Sequence, residues 1–239
     1  MFKLLSTANP KIQKGTKMGY LSFILHLAPS TLSGRNTCPK ATRGCAAACL
    51  NTAGRGGMFK KGETTNVIQK ARIRKTQYFF EARDAFMKDL YHDIVRAKKF
   101  AERKGLIPVF RLNGTSDLSW EKYEVGTTGM NLFQLFPTTQ FYDYTKILGR
   151  KVAQYANYHL TFSRADGNDA DVARAIEQGL NIAAVFDHMP ETYMGLPVIN
   201  ADDTDLRFLD PKGCIAGLKA KGRAKKDYSG FVIRLKEVA

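Results

Sequence analysis

Short apolar runs recur along the chain: Leu21 to Ala28, Leu106 to Leu112, Gln140 to Tyr144, Tyr158 to Phe162, Asn181 to Phe186 and Pro197 to Asn200. Each has the length of a buried strand, and a further run opens at Cys214. Between the first two lies a helical region from about Glu63 to Lys104, where Val67, Ala71, Phe79, Phe86, Leu90, Ile94 and Ala97 recur at mixed three- and four-residue spacing. Its length predicts two consecutive helices or one kinked helix, ended by Gly105. A second amphipathic helix is predicted over Asp169 to Gln178, stopped by Gly179. Strands alternating with helices predict an α/β fold with a mostly parallel sheet, an open or partial (β/α)6-like barrel. The chain reads as one domain, 1–239, with the basic segment from about 212 to 239 as an appended hairpin. It has no fixed-period repeat.

Polar residues follow the apolar runs at their C-terminal ends. Arg111, Asn113, Ser116 and Asp117 follow the second, Tyr142, Asp143 and Lys146 the third, Ser163 and Arg164 the fourth, Asp187 and His188 the fifth, and Asp202, Asp203 and Asp205 the sixth. Ligands of parallel α/β sheets bind at the carboxyl ends of the strands, so one rim is expected to collect these groups. Singly, such residues are also ordinary turn formers and caps.

Lys and Arg number 37 against 22 Asp and Glu, a net charge of +15. Basic runs fall at Lys70 to Lys75, Arg96 to Lys104 and Lys219 to Lys226, with no single basic tail. The excess implies a polyanionic partner, nucleic acid, with Lys219, Lys221, Arg223, Lys225 and Lys226 as candidate phosphate contacts. The plain alternative is a solvated, soluble surface. No stretch has the apolar length of a membrane span.

Three of the four cysteines, Cys38, Cys45 and Cys49, lie within twelve residues directly after the first run. A thiolate trio on one short loop can converge on a soft metal centre. Pro39 after Cys38 is a common neighbour of iron–sulfur ligands, and Gly44 and the intervening alanines leave room for backbone amides beside inorganic sulfide. Three inert buried thiols are the bland alternative. Disulfides fit less well, because the N-terminus lacks the h-region of a signal peptide and cysteines are few. For zinc, only Cys45-x-x-x-Cys49 has knuckle spacing, with no second pair downstream, so a [4Fe–4S] cluster is preferred over zinc. If the strand opening at Cys214 runs parallel to the first, Cys214 lies about 15–20 Å from the loop. It is then a core thiol, and one iron stays open to an outside ligand.

Several segments resemble the bacteriophage gene-product-88 family. They are Leu4-Leu5-Ser6-Thr7-Ala8-Asn9-Pro10-Lys11, the Cys38-Pro39 to Cys49-Leu50 loop, Arg111 to Leu118, Phe141 to Lys146 and Asp205 to Asp210. The resemblance covers nearly the whole chain and implies a phage origin and the host cytoplasm as location; it implies no activity. A looser similarity is to the radical S-adenosylmethionine superfamily, which also places a three-cysteine loop after the first strand of a partial barrel. Here the spacing is six residues and then three, where that superfamily has three and then two.

Two functions follow as expectations. In the enzymatic one, Cys38, Cys45 and Cys49 hold the cluster, S-adenosylmethionine is the implied ligand of the open iron, and Arg111 and Ser163 help bind that cofactor. Asn113, Ser116, Asp117, Tyr142, Asp143 and Lys146 then line the mouth, with Lys146 pairing a phosphate or carboxylate and Asp117 or Asp143 acting as an orienting group or base. In the other, a structural iron–sulfur or zinc centre braces a non-catalytic nucleic-acid-binding protein. A metal-dependent nuclease built on Asp202, Asp203 and Asp205 ranks last. The sequence leaves substrate and oligomeric state open.

Overall fold

The structure, a computed structural model, describes residues 3–7 and 10–235. Ala8 and Asn9 of the opening motif, and the ends of the 1–239 domain and the 212–239 segment, lie outside the described residues.

The long helical region is two helices, α3 (Val67–Glu81) and α4 (Arg83–Glu102), parted at Ala82, whose backbone leaves the helical region at φ −139°, ψ 58°. Asn66 caps the first by accepting from Gln69 N at 3.0 Å. Gly105, at φ +65°, turns the chain out of the second. The remaining helices are α1 (Pro10–Thr16), α2 (Arg43–Ala47), the single-turn α5 (Leu132–Leu135) and α6 (Asp169–Glu177).

Ten strands form one sheet among the described residues. They are β1 (Leu5–Ser6), β2 (Tyr20–Leu25), β3 (Ile107–Arg111), β4 (Gln140–Thr145), β5 (Tyr158–Ser163), β6 (Ile182–Phe186), β7 (Thr192–Tyr193), β8 (Leu196–Asn200), β9 (Ile215–Lys219) and β10 (Val232–Ile233). The order is β1-β2-β3-β4-β5-β6-β9-β8-β7, with β10 pairing β6 off that path. All pairs from β2 to β8 are parallel; β1 and β7 join antiparallel at the two edges. From β2 to β6 each strand adds beside its predecessor, so the right-handed crossovers put their helices on one face. On that face Phe79, Phe86, Leu90 and Ile94 pack on Phe23, Phe110 and Phe141, while Val172 and Ala175 pack on Phe162 and Ile182. Residues 201–208 cover the other face, with Leu206 and Phe208 against Tyr20, Val109 and Tyr142.

The α/β class and the mostly parallel, open sheet are as expected, and the (β/α)6 repeat is incomplete, because β3 and β4 are joined through one helical turn and β4 and β5 by a loop. One expectation is corrected. The segment from 212 is no appended hairpin: β9 is an interior strand, residues 222–226 form a 3-10 turn, and β10 runs parallel to β6. Ala220, Ala224 and Val232 bury against Ala48, which ties this segment to the cysteine loop.

Asp143 is fully buried on β4, and burial raises its carboxyl to about pKa 7 despite hydrogen bonds from Asn113 N and Tyr158. The folded state therefore holds this proton more tightly than the unfolded chain, whose carboxyl titrates near 4. Its contribution should fall as pH rises from about 4 to about 7, by at most about 1.4 kcal/mol per pH unit. Urea unfolding at pH 5 and pH 8 should show this loss in the parent and its absence in Asp143→Asn; equal pH slopes in the two proteins would contradict it.

Candidate metal centre

The cysteine loop follows β2 and is fastened to the loop that follows β3. Gly114 N and Thr115 Oγ1 donate to Leu25 O and Leu27 O at 2.9 and 2.5 Å, and Asp117 N donates to Thr37 O at 2.8 Å. Gly114 allows this approach, since a Cβ there would fall 2.7 Å from Leu25 O. The Cys38 sulfur accepts from Ser30 N at 3.3 Å and lies 3.8 Å from Thr37 Oγ1. Cys49 Sγ accepts from Asn51 N at 3.5 Å, and Asn51 Oδ1 in turn accepts from Arg72 Nη1 of α3 at 2.6 Å.

Cys45 sits in the first turn of α2. Thr42 Oγ1 accepts from Cys45 N at 3.1 Å, while Asp166, from the loop after β5, accepts from Gly44 N at 3.0 Å, from Cys45 N at 3.2 Å and from the Thr42 hydroxyl. Partial burial works against the Asp166 charge, but these hydrogen bonds hold its carboxyl below the ordinary range. Gly44 has no room for a side chain: a Cβ would run into Ser229 Oγ and Asp166 Oδ1.

Lys146, half-buried at the end of β4, brings its ammonium to Cys45 and into the field of Cys38 and Asp117. Burial opposes that charge, yet Cys45 and Asp117 keep the lysine above its ordinary value. Burial pushes both Cys38 and Cys49 up, and Cys49 feels the other two thiols. Burial likewise raises Asp117, against hydrogen bonds at 2.8 Å from Lys146 N and Thr145 Oγ1. The rim thus joins three thiols, two acids and two cations.

This donor set suits a soft metal or cluster: thiols, N–H groups aimed at sulfur, and cations to offset thiolate charge. Among the described residues, however, no three His, Cys, Asp or Glu side chains are grouped as ligands of one metal ion. Cys214 directly precedes β9, which runs parallel to the other central strands, and its thiol donates to Pro211 O at 3.1 Å.

The family model described as Gene product 88 matches residues 3–235. The chain belongs to this bacteriophage family. No curated protein and no solved structure matches it. No described helix is long and apolar enough to cross a membrane.

Of the residues expected at a ligand mouth, Lys146 reaches Cys45, and Asp117 lies behind it with its carboxylate oxygens on Thr145 Oγ1 and Lys146 N; the others have different work. Asn113 Oδ1 accepts from Ser116 Oγ, Leu118 N and Trp120 Nε1, and its amide donates to Leu118 O and Asp143, so Asn113, Ser116 and Asp143 shape the loop from inside. Tyr142 donates to Ser22 on the second sheet face. Arg111, on the same face, pairs with Asp205 at 2.7 Å and lies over the Tyr144 ring. Ser163 ends β5, where its carbonyl accepts from Asn168.

The three acids named for a nuclease part company: Asp202 takes Lys221 and Lys219 N, Asp203 lies 3.9 Å from Lys14, and Asp205 takes Arg111. Lys219, Lys221, Arg223, Lys225 and Lys226 are exposed, and the turn carrying the last three packs beside residues 50–52. Asp166 and Arg72 were missed. The first follows β5 by three residues and was open to the same rim rule; the second was absorbed in the Lys70–Lys75 basic run.

In reduced, metal-free protein, a thiol reagent should modify Cys38, Cys45 and Cys49 well before buried Cys214. Asp166→Ala should cost about 1–2 kcal/mol, the scale of a lost helix cap, and selectively speed Cys45. Unchanged Cys45 reactivity in that variant would show that the clamp is unimportant.

Proposed function

We propose that the chain is an iron–sulfur protein that engages nucleic acid, with Cys38, Cys45 and Cys49 as the three protein ligands of a [4Fe–4S] cluster. The observation that carries this reading is the gathering of three thiols with Lys146 and Arg72 at the carboxyl ends of the strands. A single zinc ion, with Zn–S near 2.3 Å, needs its sulfurs within about 4 Å of one another; a cubane spaces them more widely. The absence of a single-ion ligand group among the described residues is therefore compatible with a cluster. The N–H groups of Ser30 and Asn51 suit thiolate sulfur, and hydrogen bonds of this kind tune a cluster's potential.

With Cys214 at the far end of the strands, three protein ligands leave one coordination position for an outside group. In the catalytic form of the proposal that group is S-adenosylmethionine, which would supply radical chemistry when bound. Lys146 would orient a polar ligand beside the thiols, backed by the buried Asp117. In the non-catalytic form the cluster braces the cysteine loop against α3, the β3 loop and the C-terminal segment.

Nucleic acid is favoured by the setting of the rim. Residues 38–61 carry Lys40, Arg43, Arg55, Lys60 and Lys61 and no acid, and residues 219–226 carry five further cations and no acid. Met58 and Phe59 stand exposed between those charges, as in surfaces that combine backbone neutralisation with base stacking.

Protein purified without oxygen should be brown and hold about four irons per chain, as a cubane requires. Ser at Cys38, Cys45 or Cys49 should remove the iron, and Cys214→Ser should retain it. Stoichiometric zinc without sulfide would overturn the cluster, and a reduced-cluster spectrum indifferent to S-adenosylmethionine would leave the bracing form.

Affinity for single- and double-stranded nucleic acid should fall steeply with salt. Replacing Lys219, Lys221, Lys225 and Lys226 by Ala should weaken binding and flatten the logarithmic salt slope by about 0.9 for each lost contact to a duplex phosphate. No binding at low salt would reduce the basic excess to a soluble surface.

A further inference from the structure

A cavity of about 360 Å³ opens at the opposite end of the sheet, beside the N-terminal ends of β5 and β6. That volume lies within the range of small-molecule sites. Tyr158, Leu180 and Phe208 supply apolar wall, His159 and Asp210 supply polar groups, and exposed Lys212 also lines it.

The polar side is conspicuously under-bonded. His159 Nε2 is buried without a hydrogen-bond partner, as is Thr161 Oγ1, two residues on along the same face of β5. Arg207 and Asp210, with side chains 1% and 7% exposed, lie 3.2 Å apart as an ion pair, yet neither Arg207 Nη1 nor Asp210 Oδ2 forms a hydrogen bond. Buried polar groups are nearly always satisfied, and two of these unsatisfied side chains, His159 and Asp210, belong to residues that line the cavity, so an occupant is called for.

The charges select its chemistry. Arg207 and Asp210 offset each other, and burial together with Arg207 drives His159 toward the neutral imidazole, so the interior of the site has no uncancelled charge and Lys212 stands only at its exposed rim. A flat ring matches the aromatic walls, and an edge with both a donor and an acceptor would satisfy Asp210 and His159. We infer that this cavity binds a neutral, planar nitrogen heteroaromatic of nucleobase size. The site stands apart from the thiols and does not depend on a metal.

The test is calorimetric titration of the full-length protein with adenosine, guanosine, cytidine and uridine. At least one should bind with Kd below about 1 mM. His159→Ala and Asp210→Asn should each weaken it about tenfold, the loss of one hydrogen bond worth about 1.4 kcal/mol. Because Asp210→Asn also breaks the pair with Arg207, Ala153→Trp is the companion: exposed Ala153 lines the cavity, and the larger side chain should abolish binding with the melting temperature unchanged. Competition of the bound nucleoside by a single-stranded oligonucleotide would identify a splayed-out base as the natural occupant. Indifference to the oligonucleotide would identify a free small molecule. If no nucleoside binds the folded parent, or if binding survives Ala153→Trp, the inference is overturned and the cavity is simply hydrated.

Discussion

The rim depends on a buried carboxylate. Asp143, with no exposure, accepts from the backbone and side-chain amides of Asn113 and from the Tyr158 hydroxyl, tying the end of β3 to β4 and β5. Asn113 then gathers Ser116, Leu118 N and Trp120 on its own oxygen, so the loop from 113 to 120 has one shape. A buried carboxyl needs hydrogen-bond partners, and this one takes them from the groups that it organises, although burial still raises it to about pKa 7. From that loop Thr115 and Asp117 reach across to Leu27 and Thr37, fixing where the cysteine segment begins.

Upon this frame the thiol loop is held electrostatically as much as by packing. Asp166 clamps α2 through two amides and a hydroxyl, Lys146 faces Cys45, and Arg72 holds Asn51 next to Cys49. Burial raises the Cys38 and Cys49 thiols, and the cations and N–H donors around them oppose that effect. The C-terminal segment closes the assembly through Ala220, Ala224 and Val232 against Ala48, which places its lysines beside the same loop. Parallel strands give the sheet two unlike ends: this rim at one, the cavity beside His159 and Asp210 at the other.

Much of the site was legible as residue types and little of it as roles. The rule that polar residues collect at strand ends took in Lys146, which lies beside Cys45, and Asp117, which accepts from Lys146 N. It also took in Asn113, Ser116 and Asp143, because a residue that shapes a loop and one that meets a ligand have the same composition and position along the chain. Tyr142 and Arg111 were grouped with the rim although the alternation of a strand sends their side chains to the sheet's second face, where Ser22 and Asp205 meet them. Asp166 and Arg72 lie more than twenty residues from the cysteines they serve, in sequence contexts typical of a turn and a basic helix face.

Local chemistry determined what could be read directly: apolar runs of strand length, the break and stop of the paired helices, the parallel α/β class, and a trio of thiols on one loop. These depend on spacing and on φ preferences that each segment carries with it. The order in which β9 slips between β6 and β8, the parallel docking of β10, and the covering of the second face by residues 201–208 were decided in three dimensions. Each depends on which buried surfaces fit together across long separations, and so does the meeting of Lys146, Arg72 and Asp166 around three cysteines. Sequence spacing carries no record of such contacts, because they are selected by the burial and charge balance of the whole fold.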